Sequence, residues 1–152
     1  MWDTEQERKY FWKRLNTAIE ENGQPFAIKS RTHYATINQK SASSNLCLSL
    51  DFLLTKGFLR IGIYIHDDSK TPHFERLYAR KEAIEQALGF HCLWTKRGEK
   101  NPNTRRIEVQ LPFTAYDRDD YERLIEESLP IIMKYIEVFS YYIPEAIRDI
   151  RQ

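Results

Sequence analysis

Between positions 46 and 65 apolar side chains recur at every second residue. Leu46, Leu48, Leu50, Phe52 and Leu54 alternate with Cys47, Ser49, Asp51 and Leu53. After Thr55-Lys56-Gly57, Leu59, Ile61, Ile63 and Ile65 alternate with Phe58, Arg60, Gly62 and Tyr64. Successive side chains of a strand point to opposite faces, so this period of two predicts a β-hairpin with one buried face and a tight turn at Gly57. A shorter repeat of the same kind follows. Cys92 to Lys96 and Arg105 to Leu111 read as two further strands, with Ile107, Val109 and Leu111 on one face, separated by a turn-rich loop over 97–103. His33 to Ile37 reads as one more short strand.

Helical spacing appears in three places. Phe11, Leu15, Ala18 and Ile19 make an apolar stripe over Thr4 to Asn22; Thr4 and Glu7 have the spacing of a capping box, and Asn22-Gly23 suits the left-handed turn after a helix. Phe74, Leu77, Tyr78, Ile84 and Leu88 mark a second helix, with Thr71 as cap, Pro72 in its first position and Gly89 as its stop. The last helix opens at the acidic Asp117 and Asp120 and runs to about Ser140, bent at Pro130 and closed by Pro144. It carries two apolar stripes. Tyr121, Leu124, Ile125, Leu129, Ile132 and Ile136 form one; Ile131, Tyr135, Val138 and Tyr142 form the other. One stripe can cover the sheet, and the second needs another element or another chain. The expected fold is α+β: a four- to five-stranded antiparallel sheet from two hairpins, helices packed on it, in the order α-(β)-ββ-α-ββ-α.

Length and composition narrow the function classes. The 152 residues fit a single domain, 1–152, able to bury a core without a disulfide or metal staple. Hydrophobic residues at 41% and charged residues at 30% are ordinary for a globular chain, and no apolar run approaches the roughly 20 residues of a membrane span. A net charge of +1 excludes a histone-like polycation. The expected location is the cytoplasm, where Cys47 and Cys92 stay reduced. No phosphate-binding glycine loop, nucleophile elbow or His-Glu-x-x-His motif is present, so no cofactor, metal or catalytic residue is assigned. His66, Asp67, Asp68 and His73 read as a solvated loop and helix start rather than a metal site. Asp51 with Glu108-Val109-Gln110 is the nearest approach to the carboxylate set of a magnesium-dependent nuclease, with glutamine where that chemistry places a lysine.

Charge distribution offers more. Lys96 to Arg106 holds a net +4 in eleven residues, against −4 over Asp117 to Glu127. Alternation puts Arg60, Tyr64, Trp94, Lys96, Arg106 and Gln110 on the non-core side of their strands. Basic residues interleaved with aromatics on a sheet suit phosphates and exposed bases, so Arg60, Tyr64, Trp94, Lys96, Arg97, Lys100, Arg105 and Arg106 form the candidate DNA- or RNA-binding set. A helix covering that side would make Trp94 an ordinary core residue. The second candidate surface, for a partner protein or a homodimer, is Tyr135, Val138, Tyr141 and Tyr142.

Several segments carry a family resemblance: Phe11-Trp12, then Leu59-Arg60-Ile61-Gly62-Ile63-Tyr64-Ile65, Phe74-Glu75-Arg76-Leu77, Lys81-Glu82-Ala83-Ile84-Glu85, Leu88-Gly89-Phe90, Leu93-Trp94 and Arg105-Arg106-Ile107. Together with the acidic, aromatic final helix they resemble a prokaryotic family of unknown function found behind restriction-endonuclease-like nuclease domains and also standing alone. The resemblance implies an accessory module linked to DNA, defence or assembly. It supplies no catalytic residue, because the nuclease chemistry belongs to the neighbouring domain.

Overall fold

A computed structural model of the chain describes residues 4–24, 26–28, 30, 32–37, 46–66, 68, 72–98 and 101–151. The elements run α1 (Thr4–Glu21), β1 (Tyr34–Ile37), β2 (Leu46–Leu53), β3 (Phe58–Ile65), α2 (His73–Tyr78), α3 (Lys81–Leu88), β4 (Leu93–Thr95), β5 (Arg105–Pro112) and α4 (Arg118–Arg151). The five strands form one antiparallel sheet in the order β1-β2-β3-β5-β4. This is the α+β architecture that the alternation predicts.

The sheet is packed from one side. Leu46, Leu48, Leu50 and Phe52 on β2, and Leu59, Ile61, Ile63 and Ile65 on β3, are all essentially inaccessible. Cross-strand register places them shoulder to shoulder, Leu50 opposite Ile61 and Ile61 opposite Val109. The contacts that tie helices to the sheet fall on this same side. Phe11 stacks on Phe52 at 4.2 Å. Tyr121 meets Phe52 edge-on at 5.4 Å. Tyr135 donates to the Ile107 carbonyl at 3.2 Å. Burying such a continuous apolar layer, at roughly 25 cal/mol per Å², is the main force holding the helices down.

Local features depart from the sequence expectation in three ways. Glu7 does not serve a capping box; its carboxylate crosses to α4, accepting from Arg118 Nη2 at 2.8 Å and Tyr121 Oη at 2.9 Å. A buried carboxylate costs heavily unless fully bonded, and this pair of partners satisfies it. The single helix expected over 71–88 is two, because Arg80 leaves helical geometry (φ −107°, ψ 15°) and reaches Glu145 on α4 at 2.6 Å. Thr71, the expected cap, lies outside the described residues; the Asp68 carboxylate accepts from the amides of His73 and Phe74, the first residues of α2, at 3.1 Å each. Finally, α4 does not stop near Ser140 but continues through Pro144, as it does through Pro130. Both prolines, and the residues four back whose carbonyls they leave unbonded, Glu126 and Ser140, are exposed, so water replaces the lost bonds.

The second stripe of α4 finds its partner inside the chain. α2 and α3 pack against α4 beside the sheet. Tyr135 and Val138 are buried, with Tyr135 stacked on Phe139 at 5.3 Å and tilted against Phe90, just past α3, at 6.0 Å. Of the four residues proposed as an interface, only Tyr141 is widely exposed, at 66%, and Tyr142 is half-buried. Tyr135 and Val138 belong to the core of the chain, and Tyr141 is the one of the four that stands in solvent.

Candidate nucleic-acid interface

Side chains on the other face of the sheet follow from the register. Row by row across the strands they are Leu53, Phe58 and Pro112; then Tyr34, Asp51, Arg60 and Gln110; then Thr36, Ser49, Gly62, Glu108 and Leu93; then Cys47, Tyr64, Arg106 and Thr95. The helix contacts of Phe52 and of the Ile107 carbonyl described above lie on the opposite side. Tyr34 and Leu93, at opposite margins of the face, are 50% and 54% exposed.

The middle of the face is a network of four charges. Asp51 and Glu108 are each 4% exposed. Arg60 Nε donates to Asp51 Oδ2 at 2.8 Å and lies 3.5 Å from Glu108 Oε2. Arg106 Nη1 donates to the same Asp51 oxygen at 3.2 Å. The Arg106 guanidinium also lies 4.3 Å from the centre of the Tyr64 ring, a cation–π contact. Burial pushes the Glu108 carboxyl up, opposed by the charges of Arg60 and Arg106. Burial, and then repulsion from Arg60, push Arg106 down. Glu108 Oε2 is buried and has no hydrogen-bond partner.

The floor under this network is thin by necessity. A Cβ on Gly62 would sit 2.2 Å from the Ile107 carbonyl oxygen and 2.6 Å from Glu108 Cα. β3 and β5 can approach this closely only with glycine at that point.

Of the eight residues expected to bind nucleic acid, the structure brings Arg60, Tyr64 and Arg106 together. Trp94 goes to the opposite side: it pairs with Ile107, a core residue, and meets Tyr78 and Phe74 edge-on at 5.6 and 6.1 Å. Its indole donates to Glu85 on α3 at 3.0 Å. Lys96 also belongs to the helical side, with its ammonium 4.6 Å over the Tyr78 ring. Arg105 shares register with the buried Ile65, and its Nη1 donates to the carbonyls of Pro102 and Thr104, shaping the turn. Arg97 is exposed beyond β4, and Lys100 lies outside the described residues.

The remaining chemistry is quiet. Cys47 and Cys92 are free and half-buried. Burial raises both thiols, Cys92 to about 11. Asp67 lies outside the described residues, and Asp68 and His73 are engaged at the start of α2. Among the described residues no group of three or more potential ligands is placed to hold a metal ion. No described helix is long and apolar enough to cross a membrane.

Asp51 and Glu108, the nuclease-like carboxylates, do share a face. They flank Arg60, whose Nε lies 2.8 Å from Asp51 Oδ2 and 3.5 Å from Glu108 Oε2.

Fold and face together define an α+β module with a one-sided helical layer and a polar sheet surface opposite. The model of a family described as a domain of unknown function (DUF4268) matches residues 7–143, and the chain belongs to that family. No curated protein and no solved structure matches it.

Proposed function

We propose that this chain is a non-catalytic nucleic-acid-binding module, the accessory part of a nuclease or defence system, and that it works through the sheet face opposite its helices. Arg60 and Arg106 take backbone phosphate, and Tyr64 offers a ring beside them for an unpaired base. The observation that carries this reading is the convergence of two guanidinium groups on one point of a sheet face, with an aromatic ring under one of them. Arginine's planar fork matches phosphate, and sheet-borne aromatics stack bases without regard to sequence. The internal cation between Asp51 and Glu108 supports a binding role over a metal-dependent cleavage role.

The test is fluorescence anisotropy with labelled single-stranded DNA and RNA at several salt concentrations. The Arg60→Ala/Arg106→Ala double variant is expected to lose at least about tenfold in affinity, and its dependence of log K on log salt is expected to flatten by about 1.4, two phosphate contacts at about 0.7 each. Lys96→Ala, on the far side of the sheet, is expected to bind as the parent does. Unchanged affinity in the double variant overturns the proposal.

A further inference from the structure

Two arginines do not share a single acceptor oxygen without consequence. Arg60 reaches Asp51 Oδ2 from β3, directly opposite in register, and Arg106 reaches it from β5, the strand beyond. Each guanidinium has five donors and applies only one of them to Asp51. The side chains of Arg60 and Arg106 keep 22% and 24% of their surface exposed, so part of each remains open to solvent. The two cations repel each other, and the carboxylate between them is what holds them at a common point. That common point is therefore an anion position, filled by the protein's own side chain.

A second seat is available to one of the arginines. Glu108 Oε2 is buried, accepts no hydrogen bond and lies 3.5 Å from Arg60 Nε. A small turn of Arg60 toward Glu108 satisfies that oxygen and loosens the hold on Asp51.

Resting on the reading of this face as a phosphate-binding surface, we infer that Asp51 is the resident anion of an Arg60–Arg106 phosphate clamp, and that a ligand phosphate binds by displacing the Asp51 carboxylate while Glu108 receives Arg60. Asp51 thus sets an affinity threshold. A lone phosphate competes poorly with a tethered carboxylate, whose effective concentration is high. A polymer, held by its other phosphates, displaces it. The ligand class is a polyanionic phosphodiester chain rather than free phosphate or a mononucleotide.

Three proteins decide the matter: the parent, Asp51→Asn, and Asp51→Asn combined with Arg60→Ala and Arg106→Ala. Asparagine keeps the shape and removes the charge. With a labelled single-stranded 12-mer, Asp51→Asn is expected to bind at least fivefold more tightly than the parent, and the triple variant is expected to lose that gain. Inorganic phosphate at millimolar concentration is expected to raise the melting temperature of Asp51→Asn and not of the parent. Equal or weaker oligonucleotide binding by Asp51→Asn overturns the inference, and it does so even where the Arg60→Ala/Arg106→Ala variant shows that the face binds nucleic acid. Should Asp51→Asn fold poorly, the parent answers alone. Saturation with the 12-mer must then shift the Asp51 carboxyl carbon resonance together with the Nε–H signals of Arg60 and Arg106. An Asp51 signal that stays fixed while the arginine signals move overturns displacement.

Discussion

The indole nitrogen of Trp94 donates to the carboxylate of Glu85 at 3.0 Å, tying the edge strand β4 to the helix α3. The same carboxylate accepts from the Cys92 amide at 2.8 Å, so one acid fixes both the entry to β4 and its largest side chain. These bonds hold the Glu85 carboxyl below its ordinary value against the opposing effect of burial. Replacing Trp94 by Ala removes the ring contacts to Phe74 and Tyr78 as well as the bond. A loss of about 3 kcal/mol is expected in urea unfolding, with nucleic-acid affinity unchanged in the folded protein. An affinity loss at full stability would return Trp94 to the proposed binding surface.

Gly62 sits where two strands nearly touch. Gly62→Ala is expected to cost about 3 kcal/mol, the upper end of overpacking penalties, because the clashing atoms belong to the Ile107 and Glu108 backbone and cannot swing aside. Thermal unfolding checks this. A variant that melts with the parent would show that the two strands separate at little cost.

Tyr135 is a core residue with a polar end. Its hydroxyl donates to the Ile107 carbonyl and meets Cys92 Sγ at 3.2 Å. Tyr135→Phe is expected to cost about 1 kcal/mol, the usual net worth of such a bond. Tyr135→Glu is expected to abolish folding, read by circular dichroism, because it buries an unpaired charge. A folded Tyr135→Glu variant of altered mass would instead place the residue at a subunit boundary.

The Cys92 thiol, raised to about 11 by burial, carries almost no thiolate at neutral pH. Iodoacetamide at pH 8 is expected to modify it at least tenfold more slowly in the native protein than in urea. Mass spectrometry of quenched samples reads the ratio, and equal rates would contradict the burial.

Asp120 gives the fold an acid-side limit. Bonds from Arg123 and from the Thr114 amide hold its carboxyl at about 2, below its ordinary 3.8. A carboxyl lowered on folding contributes stability that is fully present above the unfolded value and disappears as pH falls through the folded one. The stability gap between the parent and Asp120→Asn is therefore expected to be constant near pH 6 and to narrow between about pH 4 and pH 2. Urea midpoints across that range test the sign, and a gap that widens on acidification refutes it.

Strand alternation made β2, β3 and β5 legible because each is long enough for the period of two to set its phase. β4 is not. In Leu93-Trp94-Thr95 two adjacent residues are large and apolar, and hydropathy alone cannot say which faces the core; pairing with β5 decides for Trp94 and leaves Leu93 outside. The same ambiguity misplaced Lys96. Arg60, Tyr64 and Arg106 were readable from alternation, whereas the role of Asp51 between them needed the register across three strands. Glu85 had no local signal, since its partners lie seven and nine residues onward across a turn. Pro144 read as the close of α4 because propensity carries no knowledge of which side of a helix faces water. The buried fate of Tyr135 depended on Phe90, Cys92 and the Ile107 carbonyl, partners tens of residues back in the chain that no helical spacing reveals.

The sheet ends on both sides in short strands, four residues in β1 and three in β4. An incoming chain that tried to extend the ladder would find only a few free amides and carbonyls before the margin ran out. Growth by strand addition is thus starved of footing along both described margins, without inviting fibre-like stacking of neighbouring copies.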